Sequence, residues 1–229
     1  SGLTTTGATV LAGLDTLPES ILFYRQLLQW LGGIGIIVLA VAVLPMLGIG
    51  GVQLYRAEST GPAKDSKLTP RITSTAKALF SIYLGLTVAC AAAYYLAGMS
   101  AFDAISHAFS TIAIGGFSTH DASMGYFQSD VILLIACLFM LISAVNFGLH
   151  FVAFSKRNPG IYRFDSETKF FSGVLLISAI VTCITLVAMG TLSADKAIIH
   201  GLFQTVSIAT TTGYASDHFA AWPSFHRYF

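Results

Sequence analysis

Long apolar runs divide the chain and predict membrane-spanning helices. An α-helix rises about 1.5 Å per residue, so about 20 apolar residues cross a hydrocarbon core about 30 Å thick. Four runs are long enough, at residues 21–47, 78–97, 131–154 and 170–189, and Arg25 is the one Lys, Arg, Asp or Glu that they contain. The pattern predicts an all-α polytopic membrane protein with four spanning helices.

Two further apolar stretches are too short to cross a membrane. Residues 103–112 and 196–209 have helical apolar spacing, but a ten-residue helix is only about 15 Å long. Asp103 and Asp195 stand near the predicted helix starts, where a carboxylate is favourable. We predict two re-entrant half-helices whose carboxyl ends point into the membrane. Their partial negative charge would favour a cation at mid-depth.

The composition agrees with a bilayer environment and excludes one class of partner. Hydrophobic residues make up 55% of the chain and charged residues 10%, against about 25% charged residues in a typical soluble domain. The net charge is only +1, so no strongly basic face for nucleic acid is expected. Cys90, Cys137 and Cys183 lie singly in apolar runs and are interpreted as small core residues, neither disulfides nor metal ligands.

The few charges predict an orientation. Segments 48–77 and 155–169 hold 9 of the 12 Lys and Arg residues, so both are expected on the cytoplasmic side. The other connections, 1–20, 98–130 and 190–229, hold seven Asp and Glu residues against two basic ones. Acidic outer surfaces raise the local concentration of cations.

One loop occurs three times in these outward segments. The first loop is residues 1–9, the second is residues 110–119 and the third is residues 207–216, aligned on Gly7, Gly116 and Gly213. The first and third loops are identical at five of nine aligned positions. A single copy would be interpreted as a turn or helix cap. Three copies, two of them preceded by a short helix, indicate a repeated unit of helix, half-helix, loop and helix.

Such loops can line a cation pathway. Glycine tolerates the positive φ that turns successive carbonyls to one side, and stacked rings of carbonyl oxygens can replace the hydration shell of a cation. Irregular backbone at membrane depth must be buried or line a wet cavity, which a pore provides. The alternative is a secondary ion-coupled symporter with inverted repeats and a midplane site. The shared orientation of the loops favours the pore.

An enzyme is not expected from the residues present. Ser118 and His120 follow Gly116, but they lack the second glycine of a nucleophile elbow and an acid partner at a recognisable spacing. His120 and His218, beside Asp121 and Asp217, are interpreted as solvated residues of the outer mouth, because sequence neighbours do not face one another as metal ligands.

Three long stretches resemble a known family. LTTTGATVLAGLDTLPESILFYRQLLQWLGGIGIIVLAVAVLPMLG, FDAISHAFSTIAIGGFSTHDASMGYF and FQTVSIATTTGYASDHFAAWP closely resemble the membrane subunits of Trk-type bacterial potassium uptake systems, within the Trk/Ktr/HKT superfamily. The resemblance covers essentially the whole chain. It implies four fused potassium-channel-like units, each with a helix, a pore half-helix, a filter loop and a second helix.

The resemblance also implies particular site residues, with potassium as the transported ion and no organic cofactor. A glycine in each of the three loops points to potassium rather than sodium. The filter carbonyls would belong to nine residues: Thr5, Thr6, Gly7, Ile114, Gly115, Gly116, Thr211, Thr212 and Gly213. It further implies a homodimer in the bacterial inner membrane, filter loops facing the periplasm, and docking of a cytosolic nucleotide-binding regulatory ring (TrkA-like), for which Arg56, Lys64 and Lys67 are candidate contacts.

The same resemblance divides the chain into parts of repeats. They are the first filter loop and second helix (1–55), a cytoplasmic loop (56–77), the complete second repeat (78–155), a second cytoplasmic loop (156–169) and the third repeat up to its outer turn (170–229). The chain would supply three of four filter loops and would be a fragment of a protein roughly twice as long. Alone, it should not close a selective pore.

Three of the polar residues inside the predicted spans are Arg25, Asn146 and His150. Arg25 lies near the outer end of its run and is expected to extend its side chain to water. Asn146 and His150 lie within the third run, where polar groups are costly. They either form hydrogen bonds between helices or line the inner cavity.

Overall fold

A computed structural model describes residues 1–38, 68–217 and 222. These residues are helical, with 3-10 turns at Leu14–Thr16 and Ser123–Phe127 and no strand in the described ranges. The described α-helices are α1 (Glu19–Val38), α2 (Leu68–Leu96), α3 (Ala101–Ile112), α4 (Asp130–Ala144), α5 (Phe147–Lys156), α6 (Ile161–Phe164), α7 (Ser166–Ala188) and α8 (Ala194–Ala209).

Three helices are long and apolar enough to span a membrane, namely α1, the Thr75–Leu96 part of α2, and α7. They correspond to the first, second and fourth predicted runs. The part of the first run beyond Val38 lies outside the described residues.

The third predicted run is not one straight helix. The α4 and α5 helices meet at an angle of 87°, so residues 1–38 and 68–217 contain three spans, or four if this bent pair counts as one. Val145 is extended at the break, and the side chain of Asn146 caps α5 by accepting a hydrogen bond from the Gly148 amide at 2.8 Å. His150 Nε2 donates to the carbonyl of Ile142 at 2.9 Å, which satisfies an acceptor at the α4 end. Both polar residues therefore stabilise a break that the apolar pattern conceals.

The two short helices form where they were predicted. The α3 helix has 12 residues and α8 has 16, which correspond to about 18 and 24 Å and are less than the hydrocarbon thickness. At the start of α3, Ser100 Oγ accepts a hydrogen bond from the Asp103 amide at 3.0 Å and donates one to Asp103 Oδ2 at 2.7 Å. These two bonds fix the start of the helix that leads into the second loop.

Each short helix packs in the same manner. The α3 helix packs against α2, which precedes it, and against α1, which follows the first loop. The α8 helix likewise packs against α7 and against α4, which follows the second loop. The shared packing places equivalent loops beside one another.

The interface between α1, α2 and α3 is centred on Trp30. Its indole nitrogen donates to Thr87 Oγ1 at 3.0 Å, and its ring centroid lies 5.3 Å from that of Phe109. The hydroxyl of Tyr83, a fully buried side chain, donates to the Trp30 carbonyl at 3.0 Å. This aromatic cluster thus fixes α1 against α2 and α3.

Candidate functional site

The three loops share one backbone conformation. In each loop the predicted glycine and the residue two positions before it have a positive φ. The values are 52° and 72° for Thr5 and Gly7, 53° and 77° for Ile114 and Gly116, and 62° and 82° for Thr211 and Gly213. The sequence alignment therefore corresponds to a real structural repeat.

Two backbone hydrogen bonds recur in each loop. In the first loop the Thr5 amide donates to Gly2 O and the Thr6 amide donates to Ser1 O, each at 3.0 Å. The second and third loops repeat both bonds at 2.8–3.1 Å. The pattern is that of a Schellman motif, whose left-handed position is usually glycine. Here that position holds the β-branched residues Thr5, Ile114 and Thr211, for which positive φ is costly.

The loops lie side by side, with glycines at the contacts. A Cβ atom on Gly7 would overlap the carbonyl oxygen of Gly115, and a Cβ atom on Gly116 would overlap the carbonyl oxygen of Thr212. The first loop thus adjoins the second, and the second adjoins the third, through equivalent atoms. Among the described residues, no atom lies within 4 Å of a Cβ built on Gly213.

Serine side chains stabilise the first and third loops internally. Ser1 Oγ donates to Ala8 O, and Ser207 Oγ donates to Tyr214 O, both at 2.8 Å. The second loop is supported from outside instead, because Gln26 Nε2 of α1 donates to the equivalent carbonyl, that of Phe117, at 3.0 Å.

Gln29 also contacts the second loop. Its Nε2 donates to Gly115 O at 2.6 Å, and its Oε1 accepts from the Phe117 amide at 3.2 Å. Both glutamines are fully buried. Neither was singled out from the sequence, although their spacing of three residues in an apolar run places two polar side chains on one helix face.

Arg25 is also directed into the protein, so the expectation that it extends to water is wrong. The residue is only 8% exposed, and its guanidinium carbon lies 4.4 Å from the centre of the Phe117 ring. Its Nη2 donates to Thr9 Oγ1 at 3.1 Å. A cation–π contact and a hydrogen bond hold the side chain between the first and second loops.

A histidine lies between two carboxylates beside the loops. His120 Nδ1 lies 2.5 Å from Asp15 Oδ1, and Nε2 lies 3.3 Å from Asp103 Oδ1. The imidazole stacks on Tyr126 with ring centroids 3.4 Å apart. The hydrogen bond from His120 lowers the pKa of Asp15 below its ordinary value. The carboxylates that His120 faces are distant in sequence, and only the fold brings them together.

Histidines of the two short helices contact the segments after the glycines. His107 Nδ1 donates to Asp103 O, and its Nε2 lies 2.9 Å from Ser118 Oγ. His200 Nδ1 lies 2.9 Å from Ser216 Oγ. These bonds attach the second and third loops, at residues beyond their glycines, to the helices that precede them.

Known proteins share this architecture with the chain. The sequence profile of the TrkH family, described as cation transport protein, matches residues 1–229. The chain belongs to the TrkH family. The fold is accordingly that of an all-helical membrane protein in a family of cation transporters, as the resemblance in sequence implied.

Individual relatives agree with the family assignment. The Trk system potassium uptake protein TrkH of Vibrio parahaemolyticus is 60% identical over 228 residues, and TrkH of Escherichia coli K12 is 57% identical over 226. The E. coli K12 Trk system potassium uptake protein TrkG is 45% identical over 224 residues. The two TrkH matches each take in 98% of this chain and 47% of the relative, so the chain spans about half their length.

A solved structure has the same fold. The crystal structure of the potassium transporter TrkH from Vibrio parahaemolyticus superposes with a TM-score of 0.86 at 55% sequence identity. The match covers 98% of this chain and 45% of that one. At this level of identity and coverage, the helix order described above is a family property.

Proposed function

We propose that the chain supplies three of the four loops of a selectivity filter through which the intact protein takes up potassium. The relatives that match it are potassium uptake proteins by name. The backbone carbonyls that would coordinate the ion belong to Thr5, Thr6, Gly7, Ile114, Gly115, Gly116, Thr211, Thr212 and Gly213. The ion is the transported substrate, and its dehydration would be offset by these oxygens.

The ordered succession of loops carries this proposal. Gly7 adjoins the carbonyl of Gly115, and Gly116 adjoins the carbonyl of Thr212. The next step in the same direction would place a carbonyl of a fourth loop beside Gly213, where the described residues leave space. In the same ring, the Thr6 carbonyl would adjoin the glycine of the fourth loop. Four equivalent loops around one axis make a ring of carbonyls, which suits a single dehydrated cation.

The remaining features support a cation rather than an anion. The carboxyl ends of α3 and α8 lead directly into the second and third loops, and a helix carboxyl end carries partial negative charge. Asp15 and Asp103 stand at the outer mouth. The three glycines, none replaced by a larger residue, favour potassium over sodium.

The proposed orientation places the loops toward the periplasm of the inner membrane. Lys156 at the end of the bent pair, and Arg157, Arg163 and Lys169 after it, are exposed and would face the cytoplasm. In this orientation residues 1–55, 78–155 and 170–229 belong to the first, second and third repeats, joined by cytoplasmic loops 56–77 and 156–169. The uniform packing of α3 and α8 supports a pore over a symporter with inverted repeats.

Two partners are part of the proposal. The intact protein would be a homodimer and would bind a cytosolic nucleotide-binding ring of the TrkA type. The candidate contacts Arg56, Lys64 and Lys67 lie outside the described residues. Reversing these three charges in the intact protein should reduce retention of the ring in a pull-down, and unchanged retention would argue against docking there.

The test of the filter uses Gly116→Ser in the intact protein. A side chain at this position meets the Thr212 carbonyl and requires an unfavourable φ of 77°. We expect the ratio of rubidium to sodium uptake to fall. Gly85→Ser is the control, because Gly85 lies on α2 with no atom within 4 Å of its Cβ position. Unaltered uptake of both ions by a folded Gly116→Ser protein would remove the second loop from the filter.

A further inference from the structure

The second loop lacks the side-chain bonds that stabilise the other two. Thr4 and Thr6 join their hydroxyls at 2.7 Å in the first loop, and Thr210 and Thr212 do so at 2.8 Å in the third. The equivalent residues of the second loop are Ala113 and Gly115, which have no hydroxyl. This loop therefore needs another means of fixing its backbone.

Gln29 fills the space that the missing side chains leave. A Cβ atom on Gly115 would overlap the carbon, oxygen and nitrogen of the Gln29 amide group. Glycine at this position consequently makes room for the amide, whereas the first and third loops carry threonine there. Gly115 has no side chain because one would overlap Gln29. Gly116 has none because one would overlap the third loop.

The Gln29 amide group forms hydrogen bonds with the second loop at two points. It donates to the carbonyl of Gly115 at 2.6 Å and accepts from the amide of Phe117 at 3.2 Å, so its bonds bracket Gly116. Gln26 Nε2 adds a bond to the carbonyl of Phe117. Because the Gln29 side chain is fully buried, water cannot readily replace these bonds.

We propose that Gln29 is a positioning residue that sets the direction of the Gly115 carbonyl and thereby the ion selectivity of the second loop. The inference rests on the proposed filter and adds a component from outside the loops. A carbonyl oxygen has two lone pairs, so one donor bond leaves capacity for a cation while it restricts how the peptide group can rotate. One helix of the first repeat thus controls a carbonyl of the second.

The test compares two substitutions in the intact protein, Gln29→Leu and Gln29→Glu. Leucine removes both bonds at similar volume. An ionised glutamate keeps an acceptor for the Phe117 amide but cannot donate to Gly115 O. We expect Gln29→Leu to lower the ratio of rubidium to sodium uptake about tenfold at neutral pH, a change of about 1.4 kcal/mol in discrimination. Burial at this position favours the protonated carboxyl of Gln29→Glu, which can still donate, so the ratio of this variant should fall only as rising pH ionises the carboxyl.

The uptake ratio separates positioning from simple loss of folded protein. Fewer folded molecules reduce rubidium and sodium uptake equally, so their ratio does not move. Thr87→Val is the matched control, because it breaks the partly buried Trp30–Thr87 bond in the same helix interface without touching a loop. Its ratio should stay at the wild-type value.

The outcomes distinguish this inference from the proposed function. An unchanged ratio in Gln29→Leu would overturn the positioning role, while a lowered ratio in Gly116→Ser would still support the filter. An unchanged ratio in Gly116→Ser would count against the filter itself. A ratio in Gln29→Glu that is lowered by the same factor at every pH would also overturn the role assigned to the donor bond.

Discussion

The side chain of Tyr214, which follows the glycine of the third loop, donates a hydrogen bond at 3.2 Å to the carbonyl of His107 on α3. Its hydroxyl also lies 3.2 Å from Thr111 Oγ1, which in turn lies 2.9 Å from the hydroxyl of Tyr94. All four residues are buried. The third loop is therefore held by α3 and, through Thr111, by α2.

Replacing this tyrosine should weaken the junction between repeats. Tyr214→Phe keeps the ring and removes one buried hydrogen-bonding group, so we expect the free energy of unfolding to fall by about 1 kcal/mol. Thermal unfolding of the purified intact protein measures the loss. Tyr95→Phe, on the exposed Tyr95 of α2, should change little and serves as the control. Equal losses in both variants would contradict the role given to Tyr214.

A double substitution tests whether Gly115 exists to accommodate Gln29. Gly115→Ala alone forces a Cβ into the Gln29 amide and should lower uptake by at least tenfold. Combining it with Gln29→Ala removes the overlap, so the double variant should transport better than Gly115→Ala alone. Rubidium uptake in a double-mutant cycle would show this non-additivity. Strictly additive losses would mean that the two residues do not compete for space.

The glycines of α1 allow a graded comparison within one helix. A Cβ on Gly32 would overlap the backbone of Leu3 in the first loop, whereas nothing lies within 4 Å of a Cβ on Gly35. Gly32→Ala should therefore displace the first loop and reduce rubidium uptake severalfold, while Gly35→Ala should be near wild type. Both are Gly-to-Ala changes in one helix, so propensity effects match. A comparable defect in Gly35→Ala would exclude loop displacement as the cause.

The outer contact between Asp15 and His120 predicts a pH-dependent contribution to stability. The pKa of Asp15 is lowered from 3.8, chiefly by the hydrogen bond from His120, so this contact stabilises the folded state above pH 3.8 and is lost as the pH falls through the lowered pKa. Asp15→Asn should reduce the Tm at pH 6, and the difference from wild type should shrink below pH 3.8.

The control for the pH series is Glu19→Gln, which removes an exposed carboxylate from the same outward segment. Its Tm difference from wild type should be smaller at pH 6. A Tm difference for Asp15→Asn that is constant across the pH series would show that the contact of the Asp15 carboxylate with His120 does not contribute to stability.

The sequence predicted what depends on local pattern. Apolar length identified the spanning runs and the two short helices, and the repeat aligned on Gly7, Gly116 and Gly213 identified three loops that share backbone conformation. The two short helices begin two residues before their predicted starts, with Asp103 and Asp195 in their first turns as expected.

The features that could not be predicted depend on contacts between residues distant in sequence. An apolar run has no signal for a break, so the 87° bend after α4 was missed although Asn146 and His150 mark it. Arg25 lies near a span end, where extension to water is cheap, yet the Phe117 ring and Thr9 give it partners inside. Gln29 contacts Gly115 across 86 positions, a separation that no local pattern encodes.

The space beside Gly213 has a consequence for how the protein is made. In the proposed ring, the last loop to be synthesised must come to rest between the third loop and the first. The closing contact would join loops that are far apart in the polypeptide, and such distant pairings form slowly. Ion selectivity would therefore appear only after all four loops have met, and three loops alone would present an arc of carbonyls that does not discriminate between ions.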